Sequence, residues 1–197
     1  MRLLALGDSY TIGEGVEPGA TWPEVVARQL QADVSVVART GWTCADLDAG
    51  IDAAAPAGPF SAVTLLVGVN DQYEGTPPES YRPAFRGLLR RAIALAGGEP
   101  RRVVVVSIPD WSATPFAGAV PDDAPPRTRE QIAREVDAYN AVARAEAEAA
   151  GARWVDVTDL SRQQGGQVVA DGLHPDASAY AAWAERIAPA VRAAGAA

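Results

Sequence analysis

The chain has 197 residues, 48% hydrophobic and 21% charged, a composition that fits one globular domain, residues 1–197, with a sizeable core. Its net charge of -8 argues against a nucleic-acid or anionic-membrane partner, since both need a basic patch and the arginine pairs at 90–91 and 101–102 are too sparse to make one. The single cysteine, Cys44, excludes an intrachain disulfide, the single histidine, His174, excludes the common zinc sites, and no apolar run nears the roughly 18 residues that cross a bilayer.

The first element is an apolar run at 3–6 that ends in Gly7-Asp8-Ser9. It reads as a strand delivering Ser9 into a loop that also carries Gly13 and Gly15, with Gly7 read as a sharp turn that aims the hydroxyl into a site. The opening MRLLALGDS is too short in apolar residues for a signal peptide and shows no cleavage site; with the lone cysteine, the expected setting is reducing and cytoplasmic. Thr21-x-x-Glu24 then reads as a capping box opening a helix with an apolar stripe at 22, 25, 26 and 30. A second strand, 34–38, ends near Arg39-Thr40-Gly41, and a third, 62–68, runs into Val69-Asn70-Asp71.

Thr76-x-x-Glu79 reads as another capping box, with Pro77 and Pro78 in the first turn. The helix it opens carries a stripe from 81 to 96, and Gly97-Gly98 stops it. Residues 103–108 form a strongly β-branched fourth strand. Between 109 and 126 lie five prolines and little periodicity, a long loop of the kind that serves as a lid or binding loop. Thr128-x-x-Gln131 caps a helix with a stripe at 132, 136, 139 and 143, which Gly151 ends. A fifth strand at 152–157 and a last helical stripe at 180, 183, 184 and 187 complete the chain.

Strand–helix alternation repeated five times predicts a doubly wound α/β domain with right-handed crossovers and strands buried on both faces. Such sheets bind ligands beyond the carboxyl ends of their strands. The residues placed there are Ser9, Gly41, Asn70, and the Asp171-Gly172-Leu173-His174-Pro175 segment. Serine is a weak nucleophile until a base takes its proton, and His174 is the only imidazole in the chain. Asp171, three residues earlier, has the spacing to reach the histidine Nδ1 and hold its tautomer. The backbone N–H groups of Ser9 and Gly41 and the Asn70 amide are candidate donors to an oxyanion, with glycine at 41 leaving the substrate oxygen room.

Each residue alone also has a structural reading: Ser9, Asn70 and Asp171 as turn residues, His174 as a helix cap or buried partner. Asp8 reads as structural, Asp71 carries no assignment, and Cys44 reads as a small buried residue on a helix after Gly41. Trp42 and Trp111 fit a pocket wall as well as they fit junction packing; Tyr73 lies equally near, and Tyr10 reads as core.

Four blocks in order, GDS at 7–9, a glycine at 41, GVND at 68–71 and DGLHP at 171–175, resemble the SGNH (GDSL-type) serine hydrolases across nearly the whole chain. The resemblance implies a flavodoxin-like three-layer α/β/α fold with a central five-stranded parallel sheet, hydrolysis of a small-molecule ester, and no cofactor. It also implies catalytic roles for Ser9, Asp171 and His174 and oxyanion roles for Ser9, Gly41 and Asn70. No G-x-S-x-G elbow is present, which sets the chain apart from the larger α/β-hydrolases. The same residues would serve acyl transfer to an alcohol or sugar. A decayed flavodoxin-like binding module is the non-enzymatic alternative, against which the intact Ser/Asn/Asp/His set speaks.

Overall fold

The computed structural model describes residues 1–118 and 127–197. Five strands, β1 (Arg2–Gly7), β2 (Asp33–Ala38), β3 (Ala62–Leu66), β4 (Val103–Val106) and β5 (Arg153–Val155), form one sheet in the order β2-β1-β3-β4-β5. Every neighbouring pair is parallel, with Ala5 beside Thr64 and Val36 across the β1 ladders and Val105 beside Leu65 and Trp154 across the β4 ladders. The order reverses between β1 and β3, so the strand ends on either side of that point open a crevice.

The helices are α1 (Ser9–Ile12), α2 (Trp22–Leu30), α3 (Cys44–Ala54), α4 (Val69–Tyr73), α5 (Pro78–Leu95), α6 (Arg129–Ala150), α7 (Thr158–Gln163) and α8 (Ala177–Gly195). Crossovers running first one way from β1 and then the other place α2 and α8 against one face and α3, α5 and α6 against the opposite face. The striped residues make these contacts: Val25 and Val26 of α2, Phe85 and Leu88 of α5, Ile132 and Val136 of α6, and Trp183 and Ile187 of α8 are all buried. Among the described residues no helix is long and apolar enough to cross a membrane.

Burial on both faces holds for β1, β3 and β4, whose Leu3–Leu6, Ala62–Leu66 and Val103–Val106 are fully packed. It fails for β2, where Val37 alone is buried, because β2 is an edge strand and its outer side has no neighbour. The short β5, on the other edge, buries only Val155.

Three predicted caps have three outcomes. Thr128 and Gln131 make the full reciprocal box on α6. Thr21 instead donates its hydroxyl to Glu24, whose carboxylate also takes the Gly19 N–H, so the box on α2 does not close. Helix α5 starts at Pro78 with Pro77 as its N-cap, which moves Thr76 outside the helix; its carbonyl accepts from the Tyr139 hydroxyl. A box that the sequence pattern passed over lies on α3, where Thr43 pairs with Asp46 rather than with Glu or Gln. Of the proline-rich 109–126 segment, residues 109–118 carry two short 3-10 turns, Trp111–Ala113 and Phe116–Gly118; residues 119–126 lie outside the described residues.

Candidate active site

The carboxyl end of β1 turns directly into α1, so Ser9 is the first residue of a helix. Asp8 is its N-cap: the side chain accepts from the Tyr10 N–H at 3.0 Å, and the Asp8 carbonyl takes the N–H groups of Thr11 and Ile12. The Ser9 N–H is thus the one amide of this turn without a partner among the described residues. Gly7 is required by close approach rather than by a sharp turn: a Cβ there would stand 2.1 Å from Thr11 Oγ1 and 2.5 Å from the Leu66 carbonyl oxygen. Gly13 and Gly15 have left-handed backbones and shape the loop, with Gly13 capping α1.

The Asp8 carboxyl is fully buried, and burial, relieved in part by the Tyr10 N–H and reinforced by the charge of Asp71, pushes its pKa up to about 8. It caps the helix that Ser9 opens and offers no atom to the cavity described below.

Gly41, on the loop after β2, has φ +82°, and a Cβ there would meet no atom of the described residues within 4 Å. Its left-handed backbone, not crowding within the protein, is what demands glycine. Asn70 sits in the first turn of α4 and donates from Nδ2 to the Trp42 carbonyl at 2.8 Å, leaving its second amide hydrogen unused by that bond. The next residue, Asp71, accepts the Cys44 N–H at 3.0 Å and so fastens α4 to the start of α3. Burial raises the Asp71 pKa despite that bond. Burial and the Asp71 carboxylate together push the Cys44 thiol far up, which disfavours a thiolate and leaves Cys44 a packing residue.

Asp171 closes the segment before α8. Its Oδ1 accepts the N–H groups of Leu173 and His174 at 2.8 and 3.0 Å, and its Oδ2 lies 2.6 Å from His174 Nδ1. Burial works to raise the Asp171 pKa, but the bonds from the His174 ring and the two backbone amides outweigh it and hold the carboxyl below its ordinary value. An ionised carboxylate can only accept, so Nδ1 carries a proton, and the lone pair of a neutral ring is then the one on Nε2. The imidazole rests against the Tyr10 ring, with centroids 5.1 Å apart, and Tyr10 in turn stacks on Trp183.

Ser9, Gly41, Asn70 and His174 all line one cavity of about 220 Å³. Tyr73 and Trp111 line it too; Trp42 does not, because its indole packs over Gly50 of α3, where a Cβ would stand 2.2 Å from the ring. Phe116 also lines the cavity and was not legible in the sequence, since it sits in an aperiodic proline-rich stretch. A larger cavity of about 410 Å³ between the α4–α5 turn and α6 contains neither Ser9 nor His174. Among the described residues no group of three or more His, Cys, Asp or Glu side chains is placed to hold a metal ion.

Residues 5–182 match the sequence model of the GDSL-like Lipase/Acylhydrolase family. Among solved structures, a member of the lipolytic G-D-S-L family from Veillonella parvula is 20% identical, covering 95% of this chain and 96% of its own, with a TM-score of 0.71. TesA is 21% identical over 98% of this chain and 99% of its own, with a TM-score of 0.74. Axe2, an acetylxylan esterase from Geobacillus stearothermophilus, is 19% identical over 98% and 94%, with a TM-score of 0.70. At these identities the likeness is one of fold. No curated protein matches the chain.

Proposed function

The chain belongs to the GDSL-like lipase/acylhydrolase family, and from that premise we propose that it is a serine esterase that cleaves small carboxylic esters, with short acyl groups, through an acyl-enzyme on Ser9. One observation carries the reading: His174, whose Nδ1 lies 2.6 Å from Asp171 Oδ2, lines the same cavity as Ser9 and Asn70.

In this mechanism Ser9 Oγ attacks the ester carbonyl carbon while its proton passes to His174 Nε2. The carbonyl oxygen becomes an oxyanion, held by the Ser9 N–H, the Gly41 N–H and the Asn70 amide; neither backbone N–H has a partner among the described residues. Collapse expels the alcohol, which takes the proton from His174. Water then attacks the acyl-enzyme, gives its proton to His174, and releases the acid as Ser9 recovers its own. Asp171 stabilises the imidazolium at both stages and keeps the proton on Nδ1 between them. The cavity of about 220 Å³ is smaller than the ~300–1,000 Å³ of drug-sized ligand sites, which supports a compact substrate. The single buried cysteine suits a reducing compartment, and the reading places the protein in the cytoplasm.

Asn70→Ala tests the oxyanion assignment. Hydrolysis of p-nitrophenyl acetate should lose about 10²–10³ in kcat, roughly 3 kcal/mol, with little change in KM, because the lost bond strengthens only as the oxyanion forms. A loss confined to KM would assign Asn70 to ground-state binding and overturn its role here.

A further inference from the structure

We propose that Tyr73, Trp111 and Phe116 form the wall that receives the acyl half of the ester, and that Gln72, bracing Trp111 from behind, is a positioning residue for acyl-chain selectivity. The inference rests on the esterase reading and deepens it by assigning the side of the site that measures chain length.

The wall is continuous. Trp111 meets Tyr73 edge-on with centroids 5.8 Å apart and meets Phe116 at 6.0 Å, and Tyr73 and Phe116 lie 6.5 Å apart. All three line the cavity that holds Ser9. Trp111 and Gln72 are both almost fully buried. The buried indole N–H needs an acceptor and finds it in Gln72 Oε1 at 2.8 Å. That bond fixes the amide orientation, because the indole can only donate; Gln72 Nε2 must then donate onward, which it does to Glu135 on α6 at 2.6 Å. Glu135 pairs with Arg127 at 3.5 Å, and Arg127 Nη1 returns to the Tyr73 carbonyl at 2.8 Å. Trp111, Gln72, Glu135, Arg127 and Tyr73 therefore close a circuit, polar along its back and aromatic at its face. A wall held from both sides resists the ring movement that a longer chain would require.

Chemistry decides which half of the ester meets it. The leaving alcohol must lie within reach of His174 Nε2 to be protonated, and the carbonyl oxygen must face Asn70. Tyr73 lies on the same short helix as Asn70, three residues on. The acyl group, bonded to the carbonyl carbon and directed away from His174, runs along α4 toward Tyr73 and the ring of Trp111.

The test is a matrix of kcat/KM values: p-nitrophenyl esters from acetate to octanoate, and acetates of alcohols of increasing size. The enzymes are the wild type, Trp111→Ala, Trp111→Phe, Gln72→Leu and the Trp111→Phe/Gln72→Leu double variant. Trp111→Ala should raise the octanoate-to-acetate ratio about tenfold or more, a size typical of discrimination by apolar pockets. Trp111→Phe keeps a ring but loses the indole N–H together with part of the ring volume, and Gln72→Leu removes the acceptor while keeping the indole, so each should raise the same ratio by a smaller factor. The double variant should fall short of the product of the two single effects, since both remove the same bond. Selectivity along the alcohol series should stay unchanged. If Gln72→Leu does not fold, Trp111→Phe carries the result alone. An acyl profile indifferent to Trp111→Ala, or a shift in the alcohol series instead, would overturn the proposal. Failure of the wild type to react with a fluorophosphonate at Ser9 would strike the esterase reading itself, an outcome distinct from a labelled enzyme whose chain-length profile ignores Trp111.

Discussion

Ser9→Ala is expected to lower turnover of p-nitrophenyl acetate by about 10⁶-fold, the loss seen when a serine nucleophile that works as a unit with its base is removed. The fold should survive the change. The cap on α1 is the Asp8 side chain, not Ser9, and alanine is the better helix former at the position. Thermal melting recorded on the same preparation should therefore show no decrease. The single thiol of the chain is badly placed to take over: Cys44 is buried, and burial and the charge of Asp71 disfavour its thiolate. Substantial activity in Ser9→Ala would thus mean that the attack comes from water or from a residue outside this account.

Asp171→Asn should reduce kcat by about 10⁴-fold while leaving the loop intact. The asparagine carbonyl oxygen can still accept the N–H groups of Leu173 and His174, which Asp171 Oδ1 accepts now. What changes is the bond to the ring. An amide NH₂ facing Nδ1 donates, so the imidazole proton moves to Nε2, and the nitrogen that should take the serine proton is blocked. The signature is a fall in kcat with the melting temperature and KM nearly unchanged. Imidazole ¹⁵N shifts should show Nδ1 protonated in the wild type and Nε2 protonated in the variant. Equal activity in the two proteins would show that the tautomer does not limit the reaction.

The sequence revealed most where the physics is local. Runs of Leu and Val at 3–6, 62–66 and 103–106 are legible as strands because both of their faces are buried. The same signal misleads at β2, whose valines sit on an edge that no neighbouring strand covers. A Thr-x-x-Gln pattern holds at Thr128, but at Thr76 two prolines shift the helix start, and at Thr43 the acidic partner is one methylene shorter than the pattern asks for. Helices α1, α4 and α7 are too short to show a period, although α1 and α4 carry Ser9 and Asn70. Asp171 and His174 could be paired from spacing alone, since three residues of turn bring them together. Convergence of Ser9, Gly41, Asn70 and His174 on one cavity is a tertiary event, visible beforehand only through the order of the four sequence blocks. Nothing in the sequence singles out Gln72 or Phe116, because their importance lies in contacts with residues 39 and 43 positions away along the chain. The converse holds for Trp42: closeness in sequence to Gly41 suggested a cavity wall, and the turn sends its indole onto α3 instead.

The central claim is that Ser9 is made nucleophilic by His174 and opens onto an accessible cavity. Treatment of the wild-type protein with a fluorophosphonate, followed by mass spectrometry of the intact chain and its peptides, addresses it directly. The account predicts one covalent adduct per chain, located on Ser9, with loss of esterase activity in step with labelling. No adduct, or an adduct on any other residue with Ser9 unmodified, would contradict it.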